Sequence, residues 1–297
     1  MGSFYANVIE MSNRGVELSL GSDIVKTKDF SFTSILNFSL NRSKIDKLNG
    51  AQVASYFTDA FTEGQPLGVL KGYEVLGIAQ SEEDVNKWNE YAASKGQSTY
   101  DAYLSVGQYV YRDVNGDGRI SVEDKTIIAN PEPKFFGGWS NMVRYKNFSL
   151  SAMFQFSVGG KAEYYALESS INTPFMSSVV PEVYGNTWNQ ERTDARYPAL
   201  VAFGYGIRQN DRMVFDTSYL RLKNLTLNYS LPSSWARKVM AEKISLYLTA
   251  TNLFTITKWP GIDPETVSNG PGPLYMASNR DPYPLSRTYS IGVNLKF

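Results

Sequence analysis

Apolar and polar side chains alternate with a period of two residues along several stretches of the chain. In residues 30–41 the apolar side chains fall mainly on even positions and the polar ones mainly on odd positions, and similar alternation runs through 148–157, 243–256 and 288–297. A period of two places successive side chains on opposite faces of a β-strand. These stretches are therefore predicted to be strands with one apolar and one polar face. Their apolar positions include Phe32, Phe38, Leu150, Phe154, Leu246, Leu248, Ile291 and Leu295.

A further strand is predicted over residues 218–231, although its alternation changes phase. Leu220 and Leu222 hold one phase, while Leu225 and Leu227 hold the other. A β-bulge near Lys223 and Asn224 would restore a common face, because it adds one residue to one strand of a pair. With two more segments, at 16–24 and 135–145, the pattern predicts about seven long strands.

The connections between these strands alternate in length. Short or compact ones are predicted at 26–29, 146–147 and 232–243. Long ones are predicted at 42–133, 158–216 and 257–284, with a helix in the first of them that begins after an N-cap at Ser81. Short turns at one end of a sheet and long irregular loops at the other are typical of outer-membrane barrels. A soluble sandwich shows the same alternation but seldom needs loops of this length.

Composition narrows the function. Lys+Arg and Asp+Glu both number 29 in the 297 residues, so the basic excess expected of a nucleic-acid-binding protein is absent. The chain has no Cys and no His. This excludes disulfides, thiolate zinc sites, cysteine nucleophiles and serine triads of the usual type, and we predict that the protein is not an enzyme. The sequence contains no run of 18 apolar residues, so no membrane-spanning helix is predicted. The N-terminal 15 residues lack the features of a secretory signal.

The stretch DVNGDGRISVED at 113–124 has the spacing of a twelve-residue calcium loop. Such a loop takes oxygen ligands from positions 1, 3, 5, 7, 9 and 12 and needs a glycine at position 6, which is Gly118 here. The predicted ligands are Asp113, Asn115, Asp117, the backbone carbonyl of Arg119, Ser121 and Asp124. The predicted cofactor is Ca²⁺ in a structural role.

A metal-free turn is the alternative for the same stretch, because Asp, Asn and Gly all favour turn conformations. A paired EF-hand or a dockerin module would need a second such loop or flanking amphipathic helices, and neither is visible in the sequence. The loop is therefore expected to brace a long connection.

Five sequence motifs together resemble the SusC/RagA-type TonB-dependent outer-membrane transporters. They are NRGVEL (13–18), DVNGDGRISVED (113–124), YLRLKNLTLNYSLP (219–232), TATNLFTITKWPGIDPE (249–265) and YPLSRTYSIGVNLKF (283–297). They follow one another in the order and spacing of that family, and the resemblance covers nearly the whole chain.

The resemblance implies an all-β fold in which residues 1–297 form the C-terminal part of a large antiparallel transmembrane β-barrel. Large transporters of this kind have about 22 strands around a plugged lumen. The plug domain, the TonB-contacting segment and most strands of the family would precede this region. The short turns would then be periplasmic and the long loops extracellular.

The same resemblance implies the function, the location and the partners. The chain would be part of a nutrient importer in the outer membrane of a Gram-negative, Bacteroidota-like bacterium, taking up glycans or peptides together with a SusD-like surface lipoprotein. Further partners would be the TonB complex through the missing N-terminal part, the barrel-assembly machinery through the C-terminal strand, and outer-membrane lipid, but no nucleic acid. The alternative is a soluble, secreted, calcium-stabilised β-protein that binds glycans.

Several single residues carry weaker expectations. Trp235, in a predicted periplasmic turn, is expected in an interfacial aromatic girdle. Trp188, in a long loop, is a candidate for contact with a substrate or partner. Arg221 and Lys223 are expected to place their charges in the lumen, because charge facing lipid at mid-depth is costly.

Overall fold

The computed structural model describes residues 9–49, 61–173, 178–200, 207–266, 278–279 and 283–297, so the predicted long connections fall partly outside the described residues. The strands are β1 (Glu10–Lys26), β2 (Phe30–Lys47), β3 (Leu70–Gly72), β4 (Val75–Ile78), β5 (Tyr109–Tyr111), β6 (Thr126–Ala129), β7 (Phe135–Tyr145), β8 (Phe148–Val158), β9 (Lys161–Tyr164), β10 (Val214–Asp216), β11 (Tyr219–Ser230), β12 (Lys243–Thr251), β13 (Thr255–Thr257), β14 (Ser278–Asn279) and β15 (Thr288–Lys296). The α-helices are α1 (Glu82–Ser94), α2 (Tyr165–Asn172) and α3 (Ser233–Ala236). Short 3₁₀ turns lie at Val122–Asp124, Asp211–Met213, Arg237–Val239 and Pro264–Thr266.

Seven long strands form one antiparallel sheet, as the alternation predicts. Their order is β1-β2-β7-β8-β11-β12-β15, and β13 also pairs with β11. Each long strand therefore neighbours the next long strand in sequence, which is the meander expected of up-and-down antiparallel connections. Strands β1 and β15 form the two ends of this order.

The three short connections lie at one end of the sheet, which we call the short-turn end. The Lys146 amide donates to the Asp29 carbonyl at 2.7 Å, which ties the first two turns together. Asn147 and Ser230 exchange two hydrogen bonds of 2.9 Å, which ties the second turn to the end of β11. Lys146 has φ +51°, a left-handed conformation that a two-residue hairpin turn requires.

The predicted bulge in β11 is confirmed. The register between β11 and β8 shifts between Leu222 and Asn224, which leaves Lys223 as the additional residue. The predicted strand 243–256 is interrupted at the same level, because β12 ends at Thr251 and β13 begins at Thr255. Asn252 turns the chain there with φ +51°, and its amide donates to the Lys223 carbonyl at 3.0 Å.

The first long connection is not an irregular loop, contrary to expectation. Residues 69–129, which we call the 69–129 unit, contain β3 to β6 and helix α1. Their buried side chains form a separate hydrophobic core. This core is rich in tyrosine, and its largest fully buried side chain is Tyr100, whose hydroxyl donates to the Tyr111 carbonyl at 2.7 Å. Local side chains bury one another here, and that lets a long connection hold a fixed shape.

Helix α1 begins where the sequence predicts. The Ser81 hydroxyl accepts a hydrogen bond from the Asp84 amide at 3.3 Å, and the first turn carries Glu82, Glu83 and Asp84. These acidic groups favour the positive end of the helix dipole. The helices of the described residues include none with the length and apolarity needed to cross a membrane.

A second hydrophobic cluster lies in the later connections. It joins β9 and α2 to residues that follow much later in sequence, including Met213 and Trp259. Ile207 packs against both clusters. The 69–129 unit and the described residues of the second cluster are therefore in contact through Ile207.

Candidate functional site

A row of apolar side chains crosses all seven long strands on one face of the sheet. Directly opposed residues of paired strands share a face. The row consists of Val25, Phe32, Val143, Leu150, Leu227, Leu248 and Ile291. No hydrophobic cluster of the described residues includes any of them. Leu248 is 50% exposed and Ile291 is 85% exposed, so this apolar face is open.

The eight apolar positions named from the sequence do not pack in a sealed core. Leu150, Leu246, Leu248, Ile291 and Leu295 are exposed, while Phe32, Phe38 and Phe154 are half-buried between neighbouring strands. Trp139 stacks on Phe154 across the sheet, with ring centroids 5.6 Å apart. The side chains of this face therefore contact one another along the sheet and remain open outwards.

The opposite face is polar at the same depth except at Met142. The neighbouring row consists of Asp23, Thr33, Met142, Ser151, Thr226, Thr249 and Ser290. The Thr226 and Thr249 hydroxyls lie 3.0 Å apart, and the Thr33 hydroxyl donates to Asp23 at 2.7 Å. The two faces of one sheet thus differ in polarity.

A buried ion cluster lies at the β11 bulge. The Arg221 guanidinium contacts Asp263 at 2.6 Å and Glu265 at 2.8 Å, and the Lys223 ammonium contacts Glu265 at 2.6 Å. The Arg221 and Asp263 side chains are only 3% and 6% exposed. Arg221 faces the polar side, since it is paired with Gln155 rather than with the apolar row. The two cations and two carboxylates balance, so burial is tolerated here.

The acidic partners in this cluster were not identified from the sequence. Asp263 and Glu265 belong to the segment GIDPE, and the Glu265 amide donates to the Asp263 carboxylate at 2.9 Å. This local turn fixes both carboxylates toward β11. In the sequence these residues appear only as two acids on either side of a proline. That pattern does not indicate a partner 42 residues away.

All six predicted calcium ligands lie in one closed loop. Asp113 accepts hydrogen bonds from the Gly116 amide at 2.7 Å, the Gly118 amide at 2.8 Å and the Tyr91 hydroxyl at 3.1 Å. Asn115 accepts from the Asp117 amide, which is the i to i+2 bond of an Asx turn. The loop therefore turns sharply where its sequence places glycine, and Gly118 has φ +86°.

The second half of the calcium-type loop is closed in the same way. Asp117 accepts from the Arg119 amide at 3.0 Å. The Ser121 hydroxyl accepts from the Glu123 amide at 3.1 Å, and its amide donates to Asp124 at 2.7 Å. Asp124 is fully buried and also accepts from the Val114 amide at 2.9 Å. Each carboxylate of the loop thus has protein donors.

The predicted metal ligands of the loop are all oxygen atoms, the ligand type that calcium prefers. Among the described residues, however, no group of three or more His, Cys, Asp or Glu side chains is arranged to hold a metal. The hydrogen bonds found here are those of the metal-free alternative, and they leave further lone pairs on the same oxygens. Calcium binding by the loop stays a prediction.

Asp113 has a perturbed carboxyl group. Burial raises its pKa, but hydrogen bonds from the Gly118 and Gly116 amides and the Tyr91 hydroxyl outweigh burial and leave the pKa below its ordinary value. These donors stabilise the ionised form. The loop therefore depends on a charged Asp113.

The loop is held against helix α1. A Cβ atom on Gly118 would come within 2.5 Å of the Lys95 Cβ, so only glycine fits there. The Gln97 side-chain amide donates to the Asp117 carbonyl at 3.2 Å, and the Ile120 amide donates to the Tyr100 carbonyl at 2.8 Å. The loop and the core of the 69–129 unit thus form one structure.

The tryptophans occupy different environments. The Trp188 indole donates to Gln80 at 2.8 Å and covers Gly107, which gives it a packing role between two connections. Trp235 is 62% exposed in the short helix α3 at the short-turn end. Trp88 and Trp259 pack in the first and second clusters.

Comparison with known proteins identifies similar chains, although no family model matches. TonB-dependent receptor P3 of Formosa agariphila is 32% identical over 305 residues, which cover 98% of this chain and 29% of the relative. TonB-dependent receptor SusC of Bacteroides thetaiotaomicron is 27% identical over 296 residues, covering 98% of this chain and 27% of the relative. The chain spans about a third of the length of these relatives.

A solved structure described as the RagAB peptide importer in the "closed-closed" state matches 99% of this chain and 30% of its own. The TM-score is 0.74 at 26% sequence identity. The resemblance inferred from the sequence motifs is confirmed, as is the prediction of an all-β fold that forms part of a larger antiparallel barrel.

Proposed function

We propose that this chain, which is similar in sequence and fold to SusC/RagA-type TonB-dependent transporters, is the C-terminal part of such a transporter and forms one section of the wall of an outer-membrane nutrient importer. The observation that carries the proposal is the apolar row across all seven strands, opposite a polar row on the other face. A barrel wall between lipid and an aqueous lumen needs this arrangement. The apolar face would contact outer-membrane lipid, and the polar face with Arg221 would line the lumen.

The direction of the edge strands supports a place within a larger barrel. Six successive antiparallel pairings leave β1 and β15 running in the same direction. These two strands cannot close an all-antiparallel barrel by pairing with each other. Closure needs an odd number of further strands, and a barrel of about 22 strands would supply fifteen.

The orientation follows from the connections. The short-turn end would face the periplasm, and the 69–129 unit would lie outside the cell. The final strand β15 would end at the periplasmic rim, where it would be available to the barrel-assembly machinery. Trp235 would then belong to the inner aromatic girdle.

The activity and partners of the whole transporter are part of the same proposal. The chain would act with a SusD-like surface lipoprotein in the uptake of glycans or peptides, driven by the TonB complex through the plug domain. The similarity to SusC and to a RagAB structure supports this assignment. The 69–129 unit, with its own hydrophobic core, would offer a surface for such a lipoprotein.

Calcium binding at residues 113–124 is a further element of the proposal. The oxygen donors, their spacing and the left-handed Gly118 support it. The metal would be held by Asp113, Asn115, Asp117, the Arg119 carbonyl, Ser121 and Asp124, and it would compensate the carboxylate charges of the loop. Its role would be structural, because the loop is part of the 69–129 unit.

A soluble glycan-binding β-protein would need a second layer over the apolar face. In the described part of the chain, Leu248 and Ile291 have no such cover. We therefore favour the transporter.

Cysteine accessibility in the full-length transporter tests this function. This chain has no Cys, so Leu248→Cys and Thr249→Cys are matched probes on opposite faces of β12 once any Cys elsewhere in the full-length protein is replaced by Ser. In isolated outer membranes, Leu248→Cys should resist a charged thiol reagent, while Thr249→Cys should react through the lumen. Equal labelling of both positions would contradict the barrel-wall role. Loss of nutrient uptake on addition of a protonophore tests the TonB-dependent step separately.

A further inference from the structure

A cleft of about 440 Å³ lies between the 69–129 unit and the later connections. The side chains that matter to its chemistry are Gln80, Tyr109, Asp194, Arg196 and Arg212. We call it the arginine cleft. Its residues come from β4, β5, the segment after Trp188 and the 3₁₀ turn before β10, so only the folded chain brings them together.

Hydrogen bonds hold the walls of the arginine cleft in place. The Tyr109 hydroxyl donates to the Arg196 carbonyl at 3.1 Å, and the Trp188 indole donates to Gln80 at 2.8 Å. The Val75 amide donates to the Asp211 carboxylate at 3.0 Å, next to Arg212. The cleft is thus formed before a ligand arrives, which lowers the entropic cost of binding.

The two arginines have unused hydrogen-bonding capacity. Arg196 donates a hydrogen bond to the Arg212 carbonyl at 3.2 Å and another to the Tyr197 hydroxyl, and its guanidinium lies 5.3 Å from the centroid of the Phe215 ring. Ring stacking occupies the face of a guanidinium and leaves its N–H edge available. Among the described residues, neither arginine side chain forms an ion pair.

Both arginines lie near the hydroxyl of Tyr109. Burial raises the pKa of this tyrosine, and the positive charges of Arg212 and Arg196 oppose that rise. The cations therefore act on one point of the cleft wall. Two guanidinium groups that line one cleft are suited to a carboxylate, because its two oxygens match the planar fork of a guanidinium.

Asp194 adds a negative charge to the arginine cleft, beside the positive charges of the two arginines. It lines the same space and has no ion pair among the described residues. A carboxylate here would attract an ammonium group, which the two arginines alone would not. Gly77 adds room on the opposite wall, since a Cβ atom built there would meet nothing within 4 Å.

We propose that the arginine cleft binds short peptides, with a peptide carboxylate held by Arg196 and Arg212 and an ammonium group facing Asp194. This inference rests on the proposed function, since it names the substrate class and assigns it a first contact site on the extracellular surface. Groups of both signs favour a zwitterionic ligand over a neutral glycan.

Binding to the purified full-length transporter in detergent tests the inference, with tetra-alanine carrying free termini as the probe. Arg212→Gln should weaken binding about tenfold, the loss expected for one charge-assisted hydrogen bond. The C-terminally amidated probe should bind the wild type about as weakly, and Arg212→Gln should not weaken it further. Asp194→Asn should reduce binding of the free peptide but not of its N-acetylated form.

Arg192→Gln is the matched control, because this exposed arginine lies on the same segment outside the cleft. It should bind like the wild type. The inference is overturned if tetra-alanine does not bind, if amidation has no effect, or if Arg212→Gln and Arg192→Gln behave alike. Tighter binding of tetragalacturonate than of tetra-alanine would overturn the peptide assignment.

Uptake measurements separate this inference from the proposed function. Protonophore-sensitive nutrient uptake that is unchanged in Arg212→Gln would leave the importer in place and remove the cleft from its substrate path. Peptide binding with the expected variant pattern, but without such uptake by the wild type, would retain the cleft and reject the importer.

Discussion

The Arg221 guanidinium lies 2.6 Å from the Asp263 carboxylate, and both side chains are almost fully buried. This pair joins strand β11, at its bulge, to the segment that follows β13. The ion pair therefore anchors the long connection after β13 to the bulge of the sheet. Glu265 and Lys223 extend the anchor on its more open side.

Removal of Arg221 should destabilise the transporter strongly. Arg221→Ala leaves Asp263 as an uncompensated buried charge, a change that costs about 3–5 kcal/mol. Thermal unfolding of the full-length protein in detergent measures the effect. The double variant Arg221→Met with Asp263→Leu should recover much of the loss, whereas Glu242→Gln at the exposed Lys296 pair should change little. Similar melting of all three variants would contradict the anchor.

A charge on the apolar face should impair insertion of the barrel. Leu248→Arg places a cation on the exposed apolar row, and such a change costs about 2–4 kcal/mol at the bilayer midplane. Thr249→Arg, on the polar face of the same strand, should be tolerated. The yield of folded transporter in outer membranes, read from heat-modifiable gel mobility, is the measurement. Equal yields of the two variants would contradict a lipid environment on one face and an aqueous one on the other.

The 297-residue chain expressed by itself should be insoluble without detergent. Its edge strands β1 and β15 are each paired on one side only, and it carries a broad apolar face; both features promote association. Size-exclusion chromatography with light scattering should show aggregates in buffer. A monodisperse monomer with a cooperative melt in the absence of detergent would contradict the barrel-wall assignment.

The calcium-type loop should bind one calcium ion with a Kd on the order of 10⁻⁴–10⁻³ M, as extracellular modules do. Calcium titration by calorimetry of the full-length transporter measures it. Asp117→Ala should abolish the binding, while the exposed Glu83→Gln outside the loop should retain it. The long strands should persist without the ion. An ordered loop with no ion in millimolar calcium, unaffected by Asp117→Ala, would show that the stretch is only a turn.

The loop should loosen in acid. The pKa of Asp113 lies below its ordinary value of 3.8, so near that pH the unfolded loop binds more protons than the folded one, and stability rises with pH. The contribution of Asp113 is therefore complete only above about pH 5 and is lost as the pH falls through 3.8 towards the lower folded pKa. Hydrogen exchange at the Gly116 and Gly118 amides, corrected for intrinsic rates, should show this loss. Asp113→Asn should exchange faster at neutral pH and show no such step.

The sequence alone identified the seven long strands, their two faces and the bulge at Lys223. These features depend on which side chains lie two residues apart, and that relation is local. It also located the Ser81 helix cap and the turn at 146–147, because caps and tight turns are formed by neighbouring residues. The motifs likewise carried the resemblance that the comparisons confirm.

Only the tertiary structure decided which distant groups meet. Nothing in the alternation of β11 shows that Arg221 finds Asp263, since the pairing depends on where the chain returns after β13. The same holds for the Trp188 contact with Gln80, which lies 108 residues away in sequence. The 69–129 unit was expected to be irregular because its strands have only three or four residues, too few for a period of two to be read. Its order comes from a tyrosine-rich core whose members are spread along the chain, and packing of that kind leaves no periodic trace in the sequence.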